Sequence, residues 1–463
     1  MTSARLRSNT VKDMTVGSPW KLIAGFALPV FLSQLFQQLY NTIDSLIVGN
    51  VHGTNSLAAV SSSGNLIFLL TSFFIGFTMG AGIVISKYFG AKDPENVSKA
   101  VHTNIALGLV SGVILSVIGV IFTPTFLVWM KTDPEIMDEA VSYFRWYFAG
   151  ALAIVMYNTF KSIMNAVGDS KRPLWYLIFS SILNVLLDLL FVAVFRWGVW
   201  AAALATTISQ AASMVLCIIQ FAKKDTVYHV EWRKIGFDRK IFKEIVRYGL
   251  PSGVQNSVIG LANVIVQTNI NSFERFATAA YGCYSKIEGF AFLPINSFTM
   301  ALTTYVGQNL GAKEYERAKK GSRFGILAAV ILAELIGLAI WFSAPFLVSL
   351  FDKQNNPDVI ALGTQQARIE AFFYCLLAFS HAVASVCRGA GKAFVPMAVM
   401  LAVWCVLRIT YITVMMHYIH EIRFIYWAYP LTWGISTVIF LLYYLFSDWV
   451  HGFEKTGVFF PRR

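Results

Sequence analysis

Residues 22–50 read LIAGFALPVFLSQLFQQLYNTIDSLIVGN, and this stretch decides the class of fold. It exceeds the ~20 apolar residues needed to cross ~30 Å of hydrocarbon, and its one charged side chain is Asp44. Across all 463 residues the hydrophobic set makes up 56% and charged residues only 13%, about half the ~25% of soluble domains. A mean hydropathy of +0.60 agrees. A soluble chain of this length needs several domains with polar surfaces to cover. The composition therefore excludes a soluble enzyme, a disordered chain and a nucleic-acid-binding module.

Further apolar windows follow the first, and together they predict spans at 21–50, 57–87, 99–128, 138–167, 173–195 and 199–222. A second set lies at 243–273, 277–309, 322–350, 365–390, 394–418 and 424–447. Backbone groups in lipid must be satisfied internally, and no ten-residue alternating strands occur, so the spans are helices. The first is too long for a signal-peptide core and no small-residue cleavage site follows it. The net charge of +12 is spread over short runs such as Lys223-Lys224 and Lys319-Lys320. Alternate loops, with both termini, carry 27 Lys and Arg against five on the other side; by the positive-inside rule both termini are cytoplasmic.

The chain also repeats. Phe26-Ala27-Leu28-Pro29 returns as Tyr248-Gly249-Leu250-Pro251, Gly90-Ala91-Lys92-Asp93 as Gly311-Ala312-Lys313-Glu314, and Gly168 with Pro173 as Gly391 with Pro396. The offset stays near 222. The fold class is thus an all-α membrane protein: twelve transmembrane helices in two six-helix lobes related by a pseudo-two-fold along the membrane normal. Residues 1–20 form a cytoplasmic segment, 21–222 the N-terminal lobe, 223–242 a basic cytoplasmic linker, 243–449 the C-terminal lobe and 450–463 a cytoplasmic tail.

Ionisable groups inside a span are costly and mark function by default. The first span carries Gln34, Gln37, Asn41 and Asp44 on one helical face, with Tyr40 four residues before Asp44. The fifth carries Asn184 and Asp188, four apart, and the sixth Thr206 and Thr207. Two carboxyls in a low-dielectric pocket do not readily both ionise, which suits one of them to take up a proton. The same oxygens suit Na⁺, and the sequence leaves both readings open: a metal site, if any, is Na⁺ at Asp44, Asn184, Asp188 and Thr206. Gln34, Gln37 and Asn41 fall to the substrate cavity. In the C-terminal half Lys286 and Glu288, separated by one residue, are expected to pair, Glu334 and Arg408 to make structural contacts, and His381 to pack neutral. The five cysteines read as buried thiols. There is no GxxxxGK[ST], HExxH, paired CxxC or GxSxG, so neither ATP nor an enzyme mechanism is expected.

These residues resemble the multidrug and toxic compound extrusion (MATE) family over about residues 15–450, through the two six-span halves and the Gly-Ala-Lys loop after the second span of each. The resemblance is closer to the DNA-damage-inducible-protein-F-like branch. There, a first-span Pro and, fifteen residues on, an Asp preceded by Tyr look like Pro29, Tyr40 and Asp44. A fifth-span Asn-x-x-x-Asp looks like Asn184 and Asp188, and a sixth-span Thr like Thr206. The resemblance implies a V-shaped bundle exporting amphipathic, often cationic drugs by alternating access in exchange for H⁺ or Na⁺. Tyr40, Asp44, Asn184, Asp188 and Thr206 would be the coupling residues, and Pro29 the point of helix bending. Another branch places acids in the seventh and tenth spans; here the seventh has none and the tenth only Glu370, near its predicted end. The expected partners are small amphipathic molecules and the lipid bilayer, at the plasma membrane, with no cofactor, nucleic acid or obligate protein partner. The alternative function is a lipid-linked precursor flippase of the same superfamily, which would want a cationic cavity.

Overall fold

A computed structural model describes residues 11–52, 54–129, 132–273, 275–352 and 356–454; parts of the predicted terminal segments 1–20 and 450–463 lie outside these. Among the described residues every regular element is helical. The first six spans are Pro19–His52, Thr54–Gly90, Pro94–Trp129, Met137–Ala149 with Ala151–Ala166, Lys171–Asp188 with Leu189–Val194, and Trp200–Phe221. The second six are Arg239–Ile270, Arg275–Gly311, Tyr315–Phe351, Pro357–Ala371 with Tyr374–Gly389, Phe394–Met400 through Leu401–Leu407 to Arg408–Tyr418, and Ile422–Phe446. Each predicted span thus has its helix. Eight of them are long and apolar enough on their own to cross a membrane, and the tenth makes nine if its two segments, bent by 51°, count as one. The fourth is divided at Gly150 into segments of 13 and 16 residues, and the seventh and eighth carry amides and charges such as Gln255, Asn263 and Glu288.

Four spans depart from a plain α-helix. The fourth breaks at Gly150 and the tenth at Phe372–Phe373, while the fifth and eleventh each contain one π-helical stretch, Leu189–Val194 and Leu401–Leu407. The tenth also begins earlier than predicted, at Pro357, capped by the Asn356 side chain on the Asp358 N–H. That places Glu370 at the break rather than near an end.

The chain forms two compact units, and two of the boundaries between them fall inside helices. Leu32–Gly253 belong to one; Met14–Phe31 and the chain from Val254 onward belong to the other. The first and seventh helices therefore pass from one unit to the other in mid-helix, two or three residues after Pro29 and Pro251. Proline removes the bond to residue i−4 and kinks a helix, so both crossings fall where the helix bends most cheaply. The start of the seventh helix is held in the N-terminal unit by backbone contact. A Cβ on Gly76 would lie 2.2 Å from the Gly253 backbone, and one on Gly80 2.3 Å from that of Gly249. Two small-xxx-small pairs thus face each other, the arrangement that lets membrane helices touch. Lys87 seals the contact with an ion pair to Glu244 at 3.0 Å.

The internal repeat is visible in the backbone. Lys92 and Lys313 both take left-handed φ, 56° and 61°, as do Gly168 and Gly391 at 84° and 75°. The bonds Asp93 N–H to Tyr88 O and Glu314 N–H to Asn309 O are equivalent. Each turn closes a helix in the same way in both halves.

The linker is shorter than predicted, because the seventh helix begins at Arg239. It is also fastened down. Tyr228 is fully buried, receives a bond from Arg172 Nη1 at 2.7 Å and donates to Asp169 Oδ2 at 3.1 Å. Burial and the Asp169 carboxylate hold its phenol above the ordinary range. Glu231 N–H donates to His102 Nε2, and Asp238 N–H to Thr103 Oγ1. On the outer faces, side chains such as Val113, Val117, Ile121 and Phe122 are exposed, as lipid-facing side chains must be.

The topology has a direct check. Cysteines introduced into a cysteine-free chain at Glu135, between the third and fourth spans, and at Asp225, in the linker, should label oppositely with an impermeant thiol reagent. Both positions are exposed. Equal labelling from outside intact cells would contradict the span count.

Candidate functional site

The N-terminal unit gathers the predicted polar residues into one buried cluster. Asp44 is 7% exposed and Asp188 not at all, and their carboxyls lie within hydrogen-bonding reach of each other. Two carboxylates have only acceptors, so this contact is a hydrogen bond only while one of them carries a proton. Asn184, one turn before Asp188, donates from Nδ2 to Thr206 Oγ1 at 3.4 Å. Asp44 Oδ1, both Asp188 oxygens and Asn184 Oδ1 are buried and accept no hydrogen bond from a donor in the unit. The backbone explains part of this placement. Asp188 is the last α-helical residue before the π-helical stretch Leu189–Val194, and such stretches recur at functional sites.

Tyr40 completes the inner wall. Its hydroxyl accepts from Gln210 Nε2 at 3.5 Å and bonds Gln37. Tyr143, on the fourth span, lies within electrostatic range of both acids and stacks on Tyr147 at 6.4 Å. Gln210, Tyr143 and Tyr147 were not singled out from sequence. Gln210 stands four residues after Thr206 on the same helical face, a spacing that identifies it in retrospect; nothing in the fourth span's sequence separates the two tyrosines from its other aromatics. Along the predicted stripe Asp44 is buried, Gln34 and Gln37 are half-buried and Asn41 is exposed. Thr206 faces Asn184, but its neighbour Thr207 packs against the helix break at Gly150.

The C-terminal unit carries a second ionisable cluster that the sequence understated. Arg408, 3% exposed, follows directly on the other π-helical stretch. Its guanidinium donates to Thr432 Oγ1 at 2.8 Å and lies 4.3 Å over the Tyr429 ring. Glu288 and Glu370 are within electrostatic range of it and of each other, and Glu370, fully buried, accepts from Gln366 at 2.9 Å. The expected Lys286–Glu288 pair does not form. Residues two apart leave a helix on different sides, and the exposed Lys286 reaches the Phe351 ring instead. Glu334 has no arginine partner; its Oε2 accepts from Cys375 N–H at 3.0 Å, capping the second segment of the broken tenth span. His381 packs edge-on to Phe292 and Trp404.

A multi-span helical protein with a buried acidic cluster in one unit, and an internal repeat that reproduces the helices but not the acids, has the build of a membrane transporter. Comparison with known proteins supplies the family: the model described as MatE matches residues 29–190 and 251–414, and the chain belongs to it. A probable multidrug resistance protein of Bacillus subtilis, YoeA, is 27% identical over 93% of this chain and 94% of its own. A MOP superfamily transporter from Pyrococcus furiosus, whose binding pocket is described as reversed in polarity, superposes with a TM-score of 0.90 at 22% identity, over 97% of this chain and 99% of that one. An outward-facing multidrug resistance MATE family transporter gives 0.88 at 23% identity, over 94% and 97%. These likenesses establish the fold.

The Gly150 break supports the cluster from behind, since a Cβ there would lie 2.2 Å from Thr207 Oγ1 and 2.7 Å from its Cβ. Overpacking of this kind costs about 1–3 kcal/mol. Gly150→Ala should therefore lower the melting temperature of the purified protein, and Thr207→Ala in the same chain should recover part of the loss. Strictly additive losses would show that the two positions are not in contact.

Proposed function

We propose that this chain is a secondary active exporter of the plasma membrane, moving amphipathic, often cationic organic compounds outward by alternating access in exchange for an inward cation. The observation that carries the reading is the meeting of the Asp44 and Asp188 carboxyls in a buried site of the N-terminal unit, in a family whose Bacillus relative is named for multidrug resistance.

The chemistry follows from donors and charge. With one proton shared, the pair is a closed, singly charged hydrogen bond between the first and fifth helices. Without it, two like charges face each other in a low dielectric and repel. Asp44 stands fifteen residues beyond Pro29 on the same helix, past the point where that helix changes units. Movement of Asp44 away from Asp188 is therefore carried along the helix to its bend. Each charge moved down 100 mV supplies about 2.3 kcal/mol, so an acid that loads on one side and unloads on the other suffices to drive export. Tyr143, Tyr147, Gln34 and Gln37 offer aromatic and amide contacts suited to amphipathic cations.

A direct carboxyl–carboxyl contact favours H⁺. A second reading, Na⁺, rests on the four buried oxygens of Asp44, Asp188 and Asn184 that accept no bond, together with Thr206, since hard cations take oxygen ligands. A flippase for pyrophosphate-linked precursors would need cationic groups where this cluster has acids.

Efflux of a cationic dye from vesicles, energised by a pH gradient or by a Na⁺ gradient in turn, tests the coupling; transport under neither would remove the exporter reading. Asp44→Asn and Asp188→Asn should each abolish gradient-driven efflux while the protein still inserts. Glu334→Gln should keep most of it, because glutamine still offers the oxygen that Cys375 N–H requires. Normal transport by Asp188→Asn together with a dead Glu370→Gln would move the coupling site to the C-terminal cluster. Pro29→Ala should slow efflux more than Pro251→Ala, as only the first helix carries an acid beyond its proline; equal losses would make both prolines merely structural.

A further inference from the structure

We propose that a cavity in the C-terminal unit, at the end opposite its basic loops, holds the phosphate of an anionic phospholipid. The cavity measures about 360 Å³ and lies between the first segment of the tenth span and the start of the twelfth, lined by Thr364, Gln365, Arg368, Ile369, Arg423 and Trp427, with Ala361 at its edge. This is at the small end of the about 300–1,000 Å³ typical of small-molecule sites. It is large enough for a phosphodiester and its glycerol.

The polar groups fit that chemistry. Basic residues are scarce at this end of the molecule, yet two arginines line one cavity, and among the described residues neither makes an ion pair. Arg368 is fixed from behind, its guanidinium 5.3 Å over the Trp341 ring, which orients the fork without neutralising it. Thr364 Oγ1 is buried with no hydrogen-bond partner, and Gln365 adds an amide donor. Arginine forks match phosphate oxygens in pairs.

What selects a lipid over a free anion is the surface below the cavity. Trp427, Leu431, Val438 and Leu442 are 44%, 41%, 56% and 51% exposed and share one face of the twelfth helix. An acyl chain leaving a phosphate seated between the arginines would run down this strip. Trp427 sits at its head, where interfacial tryptophans lie.

The test is native mass spectrometry of the full-length protein in mild detergent, titrated with phosphatidylglycerol, phosphatidylcholine, glycerol 1-phosphate and inorganic phosphate. We expect one tightly retained phosphatidylglycerol per chain, weaker phosphatidylcholine, and no competition from the two soluble anions at matched concentration. Arg368→Gln and Arg423→Gln should each weaken retention by about fivefold, the order expected for one basic residue at a membrane surface. Arg423→Lys should restore only part of the second loss, because lysine keeps the charge but not the fork. Unchanged retention in the double glutamine variant, or equal retention of phosphatidylcholine, would overturn the proposal. So would displacement by inorganic phosphate, which would make the cavity a plain anion site. The lipid comparisons on the unaltered protein decide the matter even if the double variant fails to fold.

Discussion

In hydrocarbon every backbone N–H and C=O must find its partner within the protein, and the rest of this structure depends on that constraint. It makes the chain helical almost throughout and makes each irregularity costly. The irregularities are therefore informative. Asp188 precedes one π-helical stretch and Arg408 follows the other. Glu370 lies at the break of the tenth span, where Glu334 caps the N–H that the break frees. The break at Gly150 receives Thr207, beside the residue that contacts Asn184. Ionisable side chains and interrupted backbone occur together, because a π turn or a broken helix re-aims side chains that a regular helix would hold at fixed angles.

The two halves show how one scaffold supports different chemistry. Their turns match to the sign of φ at Lys92 and Lys313 and at Gly168 and Gly391. Their interiors do not match. At the repeat offset Asp44 corresponds to Val266, fully buried in the C-terminal core, and Asp188 to Tyr411. In place of an acid pair the C-terminal unit holds Arg408 between aromatic rings, with Glu288 and Glu370 in range. A charged side chain at the centre of a bilayer costs about 2.5–3.5 kcal/mol on insertion scales. The C-terminal cluster offsets this internally, with one cation among two acids. Among the described residues the N-terminal pair has no basic partner, so a proton or a bound cation is what would relieve it. That difference is the physical basis of the proposal that coupling belongs to the N-terminal unit.

Two helices change units at defined places. The crossings of the first and seventh helices between units fall just beyond Pro29 and Pro251. Gly76 and Gly80 against Gly253 and Gly249 hold the seventh helix to the N-terminal unit up to its crossing. Glycine contacts of this type are close but carry no side-chain interlock, so the helices they join are tightly apposed without being keyed to one another.

Much of this protein was legible in residues alone. Span number, the repeat, the Gly-Ala-Lys turns and the polar face with Tyr40 and Asp44 all follow from hydropathy and helical period, which are local properties. So does the pairing of Asn184 with Asp188 on one face. What only the tertiary structure decided are relations between elements distant in the chain. Asp44 meets Asp188 across 144 positions, and Tyr143 of the fourth span comes within electrostatic range of both. The division of the first helix between two units, the seating of Tyr228 under the linker, and the convergence of Arg368 with Arg423 are of the same kind. Periodicity tells which residues share a side of a helix, but only the packing of helices tells what that side faces.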